Sequence, residues 1–216
     1  MTVDSSASVA SQPIFDRLCN STLCEDMAWS GEGLQAAVLV ALTDERQPRV
    51  ILGRRAGHLR LHPGEIAFPG GKREPEDYSP WTTALREAHE EIGLEPDTVQ
   101  RLCTLETRVT RSQFQVYPRV AKVPAALEIV ADPTEFDSVF MTPLAMFASP
   151  EAYKLEKMSD ERGSIMVPHY RINGDNIWGV TAAVLVQLVN LVFDAGLAVA
   201  PLGQPYTVPT DSQSKK

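Results

Sequence analysis

The chain has 216 residues, 44% of them hydrophobic and 22% charged, which is enough apolar material for the core of one ordinary domain. Its 20 basic and 28 acidic residues give a formal charge of −8, which speaks against binding by neutralisation of a nucleic-acid backbone. The composition fits neither a disordered chain nor collagen nor a disulfide scaffold. Cys19, Cys24 and Cys103 cannot pair completely and offer no zinc set, so reduced thiols are expected. The first residues carry neither a basic nor an apolar leader pattern, and the final Ser214-Lys215-Lys216 is not a peroxisomal address; the expected location is cytoplasmic.

In chain order, residues 1–30 read as a flexible tail and lead-in, 31–200 as the folded domain and 201–216 as a second flexible tail. Residues 35–42 and 49–53 read as strands around a turn at 44–48, and the Gly- and Pro-rich stretch 63–75 reads as a loop. Ser79-Pro80 supplies a helix start, and Gly93 followed by Pro96 supplies its stop, which predicts a helix over 80–92. Strands are expected at 99–109, 114–123, 136–141 and 167–172, a short helix at 143–147 and a long apolar helix at 180–195. The uncharged run 177–193 falls short of the roughly 20 residues of a membrane span and reads as a helix buried against a sheet. Mixed elements without regular βαβ alternation predict an α+β or layered α/β/α sandwich with a mixed β-sheet.

The predicted helix 80–92 carries the chemistry. At 100° per residue, Trp81, Leu85, Ala88 and Ile92 form one stripe, while Glu87, Glu90 and Glu91 gather on the other side as a free acidic face. Like charges three and four residues apart cost a few tenths of a kcal/mol per pair, a cost that a hard divalent cation would remove. Upstream, the glycines of Phe68-Pro69-Gly70-Gly71 let backbone approach a ligand closely. Arg86 is a charge partner for the carboxylates or a surface arginine. Arg54, Arg55, Arg60, His62 and Lys72 concentrate positive charge around this loop, which suits an anionic ligand. His62 is also readable as a turn residue, Phe68 as a core residue and Trp178 as a packing residue before the last helix.

Arg86-Glu87-Ala88-His89-Glu90-Glu91-Ile92-Gly93-Leu94 resembles the second half of the Nudix hydrolase box. The first half departs from it: counted from Gly71, Arg86 arrives one residue late, and Asp77 takes the place of the first Glu. That departure is similar to the coenzyme A diphosphatase branch, as are Gly70-Gly71-Lys72-Arg73-Glu74-Pro75-Glu76-Asp77 and Thr83-Ala84-Leu85-Arg86-Glu87. Upstream, Ile51-Leu52-Gly53-Arg54-Arg55-Ala56, His58-Leu59-Arg60 and His62-Pro63-Gly64-Glu65 resemble the same branch, with Gly53 and Ala56 replacing Thr and Ser. Glu135-Phe136, Pro143-Leu144 and Ile177-Trp178-Gly179-Val180-Thr181-Ala182 resemble its downstream segments.

The resemblance implies a Nudix-type α/β/α sandwich and metal-dependent hydrolysis of coenzyme A to 4′-phosphopantetheine and adenosine 3′,5′-bisphosphate. It implies Glu87, Glu90, Glu91 and Arg86 as catalytic residues. Mg²⁺ or Mn²⁺ would be held by Glu87, Glu91 and Glu90 with the Gly71 carbonyl. Arg55, Arg60, His62, Gly64, Phe68, Gly70 and Lys72 are the implied substrate contacts. The alternatives are hydrolysis of another nucleoside diphosphate derivative, such as ADP-ribose or NADH, and an inactive nucleotide-binding module. The expected partner is a small-molecule substrate, with no nucleic acid and no membrane; a homodimer is left open.

Overall fold

A computed structural model describes residues 12–21, 28–30, 32–160 and 163–199. Helix α1 spans Gln12–Ser21; strands β1 (Gln35–Asp44) and β2 (Arg49–Arg55) form the expected hairpin, followed by β3 (Ile66–Ala67) and β4 (Gly70–Lys72). Helix α2 (Pro80–Ile92) precedes β5 (Gln100–Thr104), β6 (Arg108–Val109), β7 (Gln115–Pro124) and β8 (Phe136–Pro143). A 3₁₀ turn at Leu144–Ala148 leads on to β9 (Tyr153–Asp160), β10 (Gly163–Ile172), β11 (Asp175–Trp178) and helix α3 (Gly179–Phe193).

The fold is α+β, as expected. One eight-stranded sheet runs β3-β2-β1-β7-β5, with β4 on β1, β6 on β7 and β8 on β2. The β1–β7 pair is parallel and the others are antiparallel, so the sheet is mixed. Strand β1 is buried on both faces, and its alternation sends Ala37, Leu39 and Ala41 to a core under α2, and Val40 and Leu42 to a core under α3. One edge of β1 is shared: β4 pairs with Ala36–Val38, and β2 pairs at Leu42. The chain therefore splays between β3 and β4, where the Leu39 N–H bonds the Pro69 carbonyl at 2.8 Å.

Helix α2 has the predicted ends. The Ser79 hydroxyl accepts from the Thr82 N–H, Pro80 opens the first turn, and Gly93 closes the helix at φ 67°, a left-handed conformation that favours glycine. Helix α3 is the predicted buried helix, and among the described residues no helix is long and apolar enough to cross a membrane.

Three differences from expectation have physical causes. Part of the expected N-terminal lead-in is a helix, because Phe15 and Leu18 of α1 fall on one face and are buried in the core that α3 closes; residues 201–216 lie outside the described residues. The strand expected over 99–109 breaks into β5 and β6, with a register irregularity between Arg101 and Cys103. Strands β9 and β11, absent from the sequence reading, form an antiparallel three-stranded sheet with a lengthened β10. Charged residues interrupt β9, and its pairing with β10 supplies what apolar content does not. The Arg54 guanidinium on Asp175, at 2.6 Å, ties this second sheet to β2.

Gly53 has no room for a side chain: a Cβ there would lie 2.4 Å from the Phe136 ring. Gly53→Thr is expected to destabilise the protein by about 1–3 kcal/mol, through displacement of that ring. Urea unfolding checks this, and an unchanged midpoint would show that the ring moves freely.

Candidate active site

The acidic face of α2 is not free, contrary to expectation. Glu91 is only 4% exposed and Glu87 is largely covered, because α2 packs on β4, where Gly71 leaves room for the Glu87 carboxylate. The Gly70 N–H donates to Glu91 Oε2 at 2.8 Å, so Gly70 serves the carboxylate rather than standing free for substrate. A Cβ on Gly71 would lie 2.4 Å from Glu87 Oε1, so Gly71 makes a cradle that only glycine permits.

Burial pushes the Glu91 carboxyl up to about 8; the Gly70 N–H and Arg55 oppose the shift, while Glu87 and Glu135 add to it. Burial likewise raises Glu87 above the ordinary range against the pull of Arg86, with Glu90 and Glu74 adding repulsion. Two hard oxygen donors held side by side at this electrostatic cost fit a divalent cation. Glu90 differs from them: it is exposed and turned to Arg86, 3.0 Å away, rather than joined to the other two. Among the described residues, no three acidic, histidine or cysteine side chains are already gathered as a ligand set.

Arg86 is the orienting partner, not an idle surface arginine. Its guanidinium donates to Glu87 at 3.1 Å, Glu90 at 3.0 Å, the Lys72 carbonyl at 3.1 Å and both oxygens of Asp77. Asp77 lies 3% exposed and also accepts from the Glu74 N–H at 2.9 Å and the Thr83 hydroxyl at 2.7 Å. Burial opposes its ionisation, but the bonds from Arg86, Glu74 and Thr83 outweigh it and hold its pKa below the usual aspartate value. Despite the altered spacing, Asp77 thus anchors the arginine that positions two of the glutamates.

The loop 56–65, which carries Arg60 and follows the Arg54-Arg55 pair of β2, is clasped to β2 by the Arg55 N–H on the Glu65 carbonyl at 2.9 Å and the Gly64 N–H on the Arg55 carbonyl at 3.0 Å. Arg55 is thereby held near Glu91 and lies 3.9 Å from Glu135. His62 sits in the turn at φ 57°, exposed, with Nδ1 3.0 Å from Glu65. Arg60 is exposed, and Lys72 lies over the Phe114 ring, 5.5 Å from its centroid. Phe68 is a correction: at 3% exposure it packs into the core under α3 and not toward a ligand. Glu135 had been given no role. A lone acid in a loop has no periodic signal, and only the fold brings it beside Glu91 and Arg55.

Two outcomes follow from these charges. Without metal, the raised Glu91 pKa contributes stability below about pH 4.5 that is lost as pH rises toward about 8. Glu91→Gln keeps an acceptor for the Gly70 N–H and is expected to stabilise the chelated protein at pH 8 by about 2 kcal/mol, with the gap closing by pH 4.5. Calorimetry at both pH values in chelator checks this. The depressed Asp77 pKa acts in the opposite sense, with stability present above about pH 4 and lost as pH falls through its folded value. Asp77→Asn should therefore flatten acid unfolding followed by circular dichroism.

A Nudix domain matches residues 33–162. The uncharacterized Nudix hydrolase NudL of Photorhabdus laumondii is 34% identical over 163 residues, covering 76% of this chain and 87% of the relative. The NudL protein of Yersinia pestis is 34% identical over 173 residues, covering 80% and 87%. Among solved structures, a Nudix hydrolase from Alicyclobacillus acidocaldarius superposes with a TM-score of 0.46 at 20% identity, covering 82% of this chain and 100% of that one. RenU, a Nudix hydrolase from M. smegmatis, gives 0.45 at 20% identity over 54% and 82%. With its α2 carboxylates cradled on paired glycines and most of its length aligned to these relatives, the chain belongs to the Nudix hydrolases.

Proposed function

We propose that the protein hydrolyses the diphosphate of coenzyme A to 4′-phosphopantetheine and adenosine 3′,5′-bisphosphate. Nudix hydrolases act on pyrophosphate bonds and generally use divalent metal ions. The observation that carries the substrate assignment is the loop 56–65 clasped to Arg55 at the end of β2. Its sequence resembles the coenzyme A branch, and its backbone bonds to β2 hold Arg55 beside the glutamates. Small-molecule binding in a reducing cytoplasm is part of the same proposal.

Glu87 and Glu91, with the Gly71 carbonyl, would hold Mg²⁺ or Mn²⁺. Such an ion lowers the pKa of bound water and stabilises charge on the phosphoryl oxygens. Arg86 fixes the carboxylate of Glu87 and keeps Glu90 within reach of it. The exposed Glu90 would accept the proton of the attacking water, and Glu135, near Glu91 and Arg55, would be a second carboxylate for that task. Arg55, with the exposed Arg60 and His62, would contact the anionic substrate, and Arg55 would compensate charge as the P–O–P bridge breaks. The new P–O bond comes from water, and the leaving oxygen departs with the other phosphate.

The test is incubation of purified protein with coenzyme A, ADP-ribose and NADH, each with Mg²⁺ or Mn²⁺, and chromatography of the products. Release of adenosine 3′,5′-bisphosphate well above the rates on the other two is expected. Preference for ADP-ribose or NADH would overturn the coenzyme A assignment while keeping diphosphate hydrolysis. No turnover together with tight ligand binding would mean an inactive module. Glu90→Gln is expected to lower kcat at least ~100-fold with the fold intact, and Glu135→Gln to lower it ~10-fold or more.

A further inference from the structure

The sheet register places a second cationic group on the face away from α2. Lys72 pairs with Ala36, Ala36 with Val116, and Val116 with Arg108, so these four residues form one row across β4, β1, β7 and β6. Directly paired residues share a face, and three strand spacings of ~4.8 Å separate the ends of the row by roughly 14 Å. Gly71, the preceding residue of β4, faces Glu87; Lys72 therefore points to the opposite side, the α3 side. Its centre is lined by the small Ala36 and by Val116, and Phe114, two residues before Val116, stands beside it on the same face.

Arg108 ends this row. It is 5% exposed, yet among the described residues its guanidinium meets only the Gln187 Oε1 of α3, at 3.2 Å, and the exposed Glu106, 3.9 Å away. Its Nε is buried with no hydrogen-bond partner. A buried cation so incompletely compensated is costly, and the donors it leaves unused match the oxygens of a phosphate. At the other end Lys72 rests on an aromatic ring and, among the described residues, pairs with no carboxylate.

We propose that Lys72 and Arg108 form a pocket for the phosphate monoester on the ribose of the substrate's nucleoside. The proposal rests on the coenzyme A assignment, since that substrate carries a 3′-phosphate close to its diphosphate. Gly71 and Lys72 are consecutive, so β4 turns one residue to the glutamates and the next to the Lys72 end of the row. The Phe114 ring, vacated when the ammonium turns to phosphate, offers a stacking face for the base. Gln187 keeps one arm of Arg108 fixed, which leaves its other donors for the anion.

Isothermal titration of the full-length protein with adenosine 3′,5′-bisphosphate and with adenosine 5′-monophosphate tests the pocket without turnover. The wild type is expected to bind the bisphosphate at least tenfold more tightly. Lys72→Gln and Arg108→Met should each reduce that ratio to about threefold or less. Thermal melts establish folding; Lys72 is exposed, so Lys72→Gln decides the matter if Arg108→Met unfolds. Equal wild-type affinities, or a ratio preserved in a folded variant, overturn the pocket. A preserved preference without coenzyme A cleavage removes the activity assignment alone, and cleavage without preference removes the pocket alone.

Discussion

The carboxylates of Glu87 and Glu91 lie against backbone that has no room for a Cβ, and the rest of the site depends on that contact. It requires α2 to approach β4 closely, which glycine at 71 permits, while glycine at 70, at φ 151°, lets β4 lie against Ala37 and Val38 of β1. It requires β4 to reach α2 at all, which follows from the sharing of one β1 edge between β4 and β2. The apolar stripe of α2 seats the helix on Ala37, Leu39 and Ala41, and this seating sets the height at which the acids meet the strand.

The same contact is electrostatically expensive. Burial raises both glutamates above their ordinary range; Arg86, shared among Glu87, Glu90 and the buried Asp77, opposes this at Glu87, and the Gly70 N–H and Arg55 oppose it at Glu91. Asp77 is held ionised by three donors, so the arginine has a fixed anchor and its remaining donors point at the glutamates. Charge that is poorly solvated in the resting protein is a cost to stability, and it is what gives such a site affinity for a cation. Arg55, carried at the end of β2 and clasped by the loop 56–65, brings positive charge to the other side of the same acids.

The sheet separates two kinds of chemistry. Its α2 face carries the carboxylates, while its α3 face carries Lys72 and Arg108 in register, with the Phe114 ring under Lys72. β4 is short and contributes to both, Gly71 to one side and Lys72 to the other, because side chains alternate along a strand. The second sheet, tied to β2 through Arg54 and Asp175, closes the α3 face with Tyr170, Ile172 and Ile177 in its core.

The amino-acid sequence by itself determined what depends on short-range chemistry. The limits of α2 follow from Ser79, Pro80 and Gly93, the double burial of β1 from its unbroken apolar run, and the family from the residues between Phe68 and Leu94. Only the tertiary structure decided which of three similar glutamates is buried, since the helical period places all three on one side and packing against β4 separates them. It moved Phe68 from ligand contact to core, gave Asp77 a partner nine residues along the chain, and brought Glu135 to Glu91. It also aligned Lys72 with Arg108, whose side chains share a row only because two intervening strands fix the register. Long-range pairing of this kind leaves no periodic trace in either segment, so local patterns could not disclose it.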